Sequence, residues 1–425
     1  MRRSDVSTLK LILVLMLLVG VVCSCCSCVV QINAAVDTKE DTSEKALKSA
    51  DDTGVYGDYN DYDAWVDSRL SDNIITRAEW LELLFDAVDI EIRDDLWYKY
   101  FDFQDIDSSA NNDVLMTAVD LGIVSGSNKV FGAEVVATRQ YVATSLVNAL
   151  GYDMSHNLDC TDADEVKDKN QVATAVYLGF LQLDDHGCFN TYHEITPGEV
   201  RFILAQLKIK SDLEGKYIVS FGDSIMHGDG NYRVGIAQLI ADRYMMSYTD
   251  YSIGGATFAH VEGKDQISNQ ILSAIQNREQ PDIILINGGT NDMRRASAGQ
   301  ISDDFEYGVC GRETFASGME YAFWLLKTHF PTVPVVYVRA HDMVCVYETN
   351  ELHYGSMAVS ICDRWDICVA DVFSDTGFDC HDDDIRYLYT AHINGYYWGD
   401  SIHPNRQGYY KYYLPLIVEK MQSVL

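Results

Sequence analysis

Positive charge is scarce in this chain. Only 32 Lys and Arg stand against 64 Asp and Glu over 425 residues, a formal net charge of −32. Phosphate backbones are bound by clustered Lys and Arg, so this balance argues against a nucleic-acid partner and disfavours an anionic membrane surface. A long apolar run is also lacking: Leu11 to Val22 is short for a spanning helix unless Cys23 to Val30 extends it. Beyond residue 30, seven cysteines remain (Cys160, Cys188, Cys310, Cys345, Cys362, Cys368 and Cys380) with no CxxC spacing among them, so no structural zinc site is expected. There is no GxSxG elbow either, which removes the familiar alpha/beta-hydrolase layout.

What is present suffices for sizeable cores, at 47% hydrophobic and 11% aromatic residues, and the length implies more than one domain. Arg2, Arg3 and Lys10 precede the apolar run, the plan of an export signal over residues 1–35, with a cleavage point near Ala34 or Ala35. The cluster Cys23, Cys25, Cys26 and Cys28 leaves lipidation or a retained anchor as the alternative. In an exported protein some cysteines should pair, and Cys160 with Cys188 is the local pair expected; seven being odd, at least one stays free or bonds another chain. Residues 36–70 are rich in Asp, Glu, Ser and Gly and read as an acidic linker or a degenerate repeat.

From 71 to 211 the chain repeats itself. Thr76, Thr138 and Thr196 recur at about 60-residue intervals, each before a helical apolar pattern, and each is placed as an N-cap. Gly122 and Gly179 recur as helix C-caps, and Phe131 and Phe189 follow them. Each unit therefore reads as helix, loop, helix. Thr76-Arg77-Ala78-Glu79, Phe101 with Asp102 or Asp105, Leu121-Gly122-Ile123 and Phe131 resemble S-layer homology repeats, an all-α module. The resemblance implies tethering to a cell-wall polymer through Arg77 and Arg139. The third unit departs from it, with Pro197-Gly198 where the family has Arg-Ala. Asp105, Asp107, Ser109 and Asn111 have calcium-loop spacing, but Ala110 and Met116 occupy the positions of the turn Gly and the bidentate Glu, so no calcium is expected.

From residue 212 to 425 the pattern changes. Buried-strand runs at Lys216–Phe221, Asp282–Ile286 and Val333–Val338 alternate with helical patterns at Tyr232–Tyr244, Val261–Asn277 and Phe315–His329. That alternation predicts an α/β fold with a parallel sheet covered on both faces, its ligand site beyond the strand carboxyl ends. The chemistry-bearing residues lie there. Ser224 follows the first run, needs a base to become nucleophilic, and sits where backbone N–H groups can face an oxyanion. Gly254-Gly255 lets a backbone N–H approach a ligand closely. Asn291, in Gly288-Gly289-Thr290-Asn291-Asp292, offers an amide donor. In Asp400-Ser401-Ile402-His403-Pro404, Asp400 can accept a hydrogen bond from His403 Nδ1–H, fixing the tautomer and leaving Nε2 for Ser224, while Pro404 keeps the pair on a loop. His227, His341 and His392 lie near motifs or strand ends and are candidates to line the cleft.

Taken in order, Phe221-Gly222-Asp223-Ser224, Gly255, Gly289-Thr290-Asn291-Asp292 and Asp400 with His403 resemble the SGNH hydrolases, also called GDSL esterases, with Ile225 in place of the usual Leu. The resemblance implies a three-layer α/β/α sandwich of flavodoxin-like kind with a five-stranded sheet. It also implies Ser224 as nucleophile, His403 as base, Asp400 as its orienter, and Ser224, Gly255 and Asn291 as oxyanion donors, with no metal or cofactor. The expected activity is ester hydrolysis through an acyl-serine intermediate. Beside a wall-tethering module the expected substrate is an acylated polysaccharide, deacetylated at a bacterial cell surface. A lipase, a thioesterase, an O-acyltransferase or a non-catalytic wall-binding protein are the alternatives.

Overall fold

The computed structural model describes residues 74–96, 112–125, 130–306, 311–344, 348–393 and 396–425. The export signal, the acidic linker, Phe101, Asp102, the calcium-like residues 105–111, Cys310 and Cys345 lie outside the described residues.

The repeating part consists of helices Arg77–Ala87, Asn112–Asp120, Arg139–Leu150, Lys169–Tyr177 and Pro197–Leu213. Thr76 and Thr196 form full capping boxes with Glu79 and Glu199, each satisfying two orphan backbone donors. Thr138 caps only through its side chain, to the Tyr141 N–H, because the third helical position holds Tyr141, which has no carboxylate or amide to return the bond; Gln140, one position earlier, accepts from the Lys167 N–H. Gly122 and Gly179 follow their helices with φ near +70°, the left-handed geometry of a helix stop.

A backbone ladder joins the units. Arg77 and Ala78 N–H donate to Val135 O and Ala133 O at 2.9 and 3.1 Å; one unit on, Arg139 and Gln140 donate to His193 O and Thr191 O at 2.9 and 3.3 Å. Pro197 holds the third equivalent position and has no N–H to give, so the ladder cannot continue there. The departure seen in the third unit thus has a backbone reason. The arginines serve the same joints. Arg77 donates to Phe131 O at 3.0 Å beneath the Tyr141 ring. Arg139 donates to Phe189 O at 2.8 Å and Gln182 O at 2.5 Å and pairs with Glu199. The Cys160–Cys188 bridge expected from the sequence is not formed. Thr161 N–H to Gly187 O, at 2.8 Å, brings the two segments together, but both cysteines are free thiols, Cys160 turned to Asp162 and Cys188 to Thr161.

The second part is a five-stranded, all-parallel sheet: β1 Tyr217–Phe221, β2 Ser247–Asp250, β3 Ile283–Asn287, β4 Val335–Arg339 and β5 Cys368–Asp371, in the order β2-β1-β3-β4-β5. Side chains alternate across it. Ile218, Ile283, Leu285, Val336 and Val338 enter a core with helices Ile236–Tyr244 and Leu414–Val424. Val219, Phe221, Ile284, Ile286 and Tyr337 enter the opposite core with helices Ile267–Asn277 and Phe315–His329. A sheet buried on both faces gives the three layers expected from the alternating pattern. The winding direction reverses between β1 and β3, and their carboxyl ends flank a crevice.

Helix Pro197–Leu213 links the two parts without a break, so the boundary drawn at 211–212 falls in its last turn. The buried Arg243 guanidinium donates to Leu178 O at 2.6 Å and to Gln206 at 3.3 Å, and it stacks 4.2 Å over the Tyr410 ring. A charge is tolerated there because carbonyl and amide oxygens meet it.

Candidate active site

The crevice between β1 and β3 gathers the sequence-predicted residues from four separate segments. Ser224 opens a one-turn helix directly after β1. Asp223 makes that turn by capping it, accepting from Ile225 N–H at 3.0 Å. Gln270 braces the chain just before, accepting from Gly222 N–H at 2.8 Å and donating to Gly222 O at 2.9 Å. Ser224 is 8% exposed, enough for its hydroxyl to face the crevice.

His403 Nε2 lies 2.9 Å from Ser224 Oγ, and His403 Nδ1 lies 2.5 Å from Asp400 Oδ2. The other carboxylate oxygen of Asp400 accepts from the N–H groups of Ile402 and His403 at 3.1 and 2.9 Å. One carboxylate therefore folds its own loop and orients the imidazole. Burial alone would lower the His403 pKa. The hydrogen bond and charge of Asp400, with the charges of Asp223 and Asp229, outweigh it and raise the pKa above the ordinary imidazole value. The ion pair therefore favours the protonated imidazole that would follow proton transfer from Ser224.

The expected oxyanion donors sit on the turns that follow β1, β2 and β3. Among the described residues, neither Ser224 N–H nor Gly255 N–H donates a hydrogen bond. Gly255 has φ +84° with open space where a Cβ would project. Asn291 differs. Its Nδ2 contacts Ala256 O at 3.1 Å and Asp223 Oδ2 at 3.3 Å, so serving an oxyanion requires it to release the longer contact. Arg295 fixes the amide's sense by donating to Asn291 Oδ1 at 2.7 Å. Asp292 is fully buried and ties the Asn291 turn to the glycine loop, accepting from Phe258 and Ala259 N–H at 3.1 and 2.8 Å. Burial pushes its carboxyl up to about 7, and that of Asp223 up to about 6.

Residues 220–411 match the GDSL-like lipase/acylhydrolase family. This segment is a GDSL-like lipase/acylhydrolase domain. Solved structures similar to it include a protein from Lactobacillus plantarum, at 21% identity and a TM-score of 0.39 over 50% of this chain and 96% of that one. A lipolytic G-D-S-L family member from Veillonella parvula is 20% identical, with a TM-score of 0.33 over 49% of this chain and 97% of that one. An acetyl xylan esterase from Geobacillus stearothermophilus is 14% identical, with a TM-score of 0.32 over 49% of this chain and 96% of that one. A comparison with curated proteins found no match.

Two more features of the GDSL domain belong to the crevice. Asp229 bonds His227 Nδ1 at 2.7 Å, and its other oxygen sits where a Cβ on Gly254 would be. The glycine-rich loop carrying it runs under His403: a Cβ on Gly230 would stand 2.6 Å from Pro404 O and 2.7 Å from His403 Cβ. The run of glycines after Ser224 was the sequence signal for this approach. His392 is exposed, bonded to Tyr387 O at 2.7 Å and packed edge-on against its ring, while His341 is wholly buried behind the Asp400–His403 turn. Asp342, Asp379 and His381 bring three possible ligand atoms within 4.8 Å of one another. All three are partly or fully exposed, with His381 Nε2 3.6 Å from Asp342 as a partly exposed ion pair.

Proposed function

We propose that this protein is an exported serine esterase that removes acetyl groups from a polysaccharide at the cell surface. The observation that carries the reading is the unbroken contact from Asp400 through His403 to Ser224 Oγ, beside two N–H groups that have no partner among the described residues. Ser224 Oγ attacks the ester carbonyl carbon as His403 Nε2 takes its proton. The carbonyl oxygen, now an oxyanion, is met by the Ser224 and Gly255 N–H groups and the Asn291 amide. Protonated His403 then gives its proton to the leaving sugar oxygen, and the C–O bond breaks to leave acetyl-Ser224. Water, deprotonated by His403, attacks this ester and releases acetate and free Ser224.

A cluster of exposed rings supports a sugar substrate. Tyr396, Tyr397 and Trp398 immediately precede Gly399-Asp400 and are 59, 69 and 58% exposed. Tyr387 lies 6.0 Å from Tyr397 and 5.9 Å from Trp398, centroid to centroid. Aromatic rings with hydroxyl and indole N–H handles suit a sugar, with its apolar C–H face and polar rim, better than a lipid chain. The expected result is acetate release from one or more members of a panel of acetylated polysaccharides by the wild type and none by Ser224→Ala. Equal, near-zero rates for both on every substrate would favour a non-catalytic wall protein.

The repeats would hold the enzyme to a wall polymer through the faces bearing Arg77 and Arg139. The double variant Arg77→Ala, Arg139→Ala should lose retention on purified cell walls, and unchanged retention contradicts this. Because both arginines also join successive units, its melting temperature is compared with the wild type.

A further inference from the structure

His341 is the one histidine of the crevice region with no exposure at all. It follows β4, and its ring lies 4.2 Å from Phe378 in a stacked arrangement. Both ring nitrogens are engaged. Nε2 lies 3.1 Å from Ser401 O, and a carbonyl only accepts, so Nε2 carries the proton. Nδ1 then accepts from Tyr413 OH at 2.7 Å, while the same hydroxyl accepts from the His341 backbone N–H at 3.2 Å. Every polar atom of the imidazole is thereby fixed in one neutral tautomer.

The carbonyl it holds belongs to the residue after Asp400. Ser401 has φ +59°, a left-handed conformation that non-glycine residues adopt at a cost and keep only when their surroundings enforce it. Two contacts enforce it here: the His341 hydrogen bond to its carbonyl, and its own Oγ donating to Val344 O at 3.1 Å. The Asp400-Ser401-Ile402-His403 turn carries both members of the acid–base pair, so the direction of the Ser401 peptide decides whether Asp400 faces His403.

We propose that His341, held by Tyr413, is a positioning residue that locks the Ser401 peptide and thereby keeps Asp400 in line with His403. It touches neither substrate nor reacting atoms and acts through the turn. Burial pushes its pKa down to about 4, so the neutral tautomer persists across the working pH range. The inference rests on the triad reading for its effect on rate, but not for its effect on His403.

The test measures His403 directly. In full-length protein with labelled histidine, the His403 imidazole is titrated by NMR in wild type, His341→Phe and Tyr413→Phe. Phenylalanine at 341 keeps the stack on Phe378 and removes the ring hydrogen bonds; Tyr413→Phe removes only the hydroxyl and covers the case in which the first variant fails to fold. The charged groups facing His403 are Asp400, Asp223 and Asp229, with His341 acting on it only when protonated, and only the Asp400 contact depends on this turn. The expected result is a lower His403 pKa in both variants, with kcat for p-nitrophenyl acetate falling by about 10²-fold in His341→Phe and KM little changed. A His403 titration identical to wild type in the folded variants overturns the proposal. Ser224→Ala serves as control: full activity there would sink the triad reading, while the titration still decides the role of His341.

Discussion

His403 stands between opposing influences. Burial favours the neutral ring, and the Asp400 carboxylate favours the charged one and prevails, with Asp223 and Asp229 adding to it. A general base works only when neutral, so the acid limb of kcat/KM should lie above pH 6.5, the ordinary value for the group. Asp400→Asn removes the hydrogen-bonded charge that raises the pKa. The limb should then move to lower pH while kcat falls by up to about 10⁴-fold, as when a triad aspartate becomes asparagine. A variant with an unmoved limb would show that Asp400 does not set the His403 pKa. The same sign governs stability. A raised imidazole pKa contributes stability that is complete below the unfolded value and fades as pH rises through the folded one.

Elements place these residues, and their legibility in the sequence was uneven for physical reasons. The helix Phe315–His329 was readable to the residue from its apolar periodicity, and in the structure Thr314 caps it. Strand β2 was not. Ser247-Tyr248-Thr249-Asp250 is a polar edge strand fixed by its parallel pairing to β1, and no apolar pattern marks it. The helix expected from Tyr232 begins at Ile236, since Tyr232 and Arg233 both have positive φ and carry the loop under His403. The triad and glycine motifs were legible because their chemistry needs particular residue types at strand ends. Arg295, Asp229 and the His341–Tyr413 pair were not, because their roles exist only through contacts that folding creates. The Gly228–Gly235 loop yields its own prediction. Gly230→Ala forces a Cβ against Pro404 O and His403 Cβ, so it should lower kcat at least tenfold with a folded far-UV spectrum; wild-type kcat would show that the loop yields freely.

At the scale of the molecule, one short segment joins the parts. The π-helix Tyr409–Tyr413 buries four tyrosines. Tyr409 OH donates to Ile225 O at 2.7 Å, behind the nucleophile turn. Tyr410 OH donates to Tyr177 O in the repeat helices. Tyr413 holds His341 behind the Asp400–His403 loop. The repeats are therefore packed on the catalytic part, and the two segments of the triad share one support. The central claim is that this support delivers an acylated Ser224. Wild type and Ser224→Ala are mixed with p-nitrophenyl acetate, quenched in acid within the first turnover, and digested for mass spectrometry. An acetyl group on the peptide carrying Ser224, and on none in the variant, is the result expected. p-Nitrophenol release without acetyl on that peptide, or equal release by the variant, would contradict it.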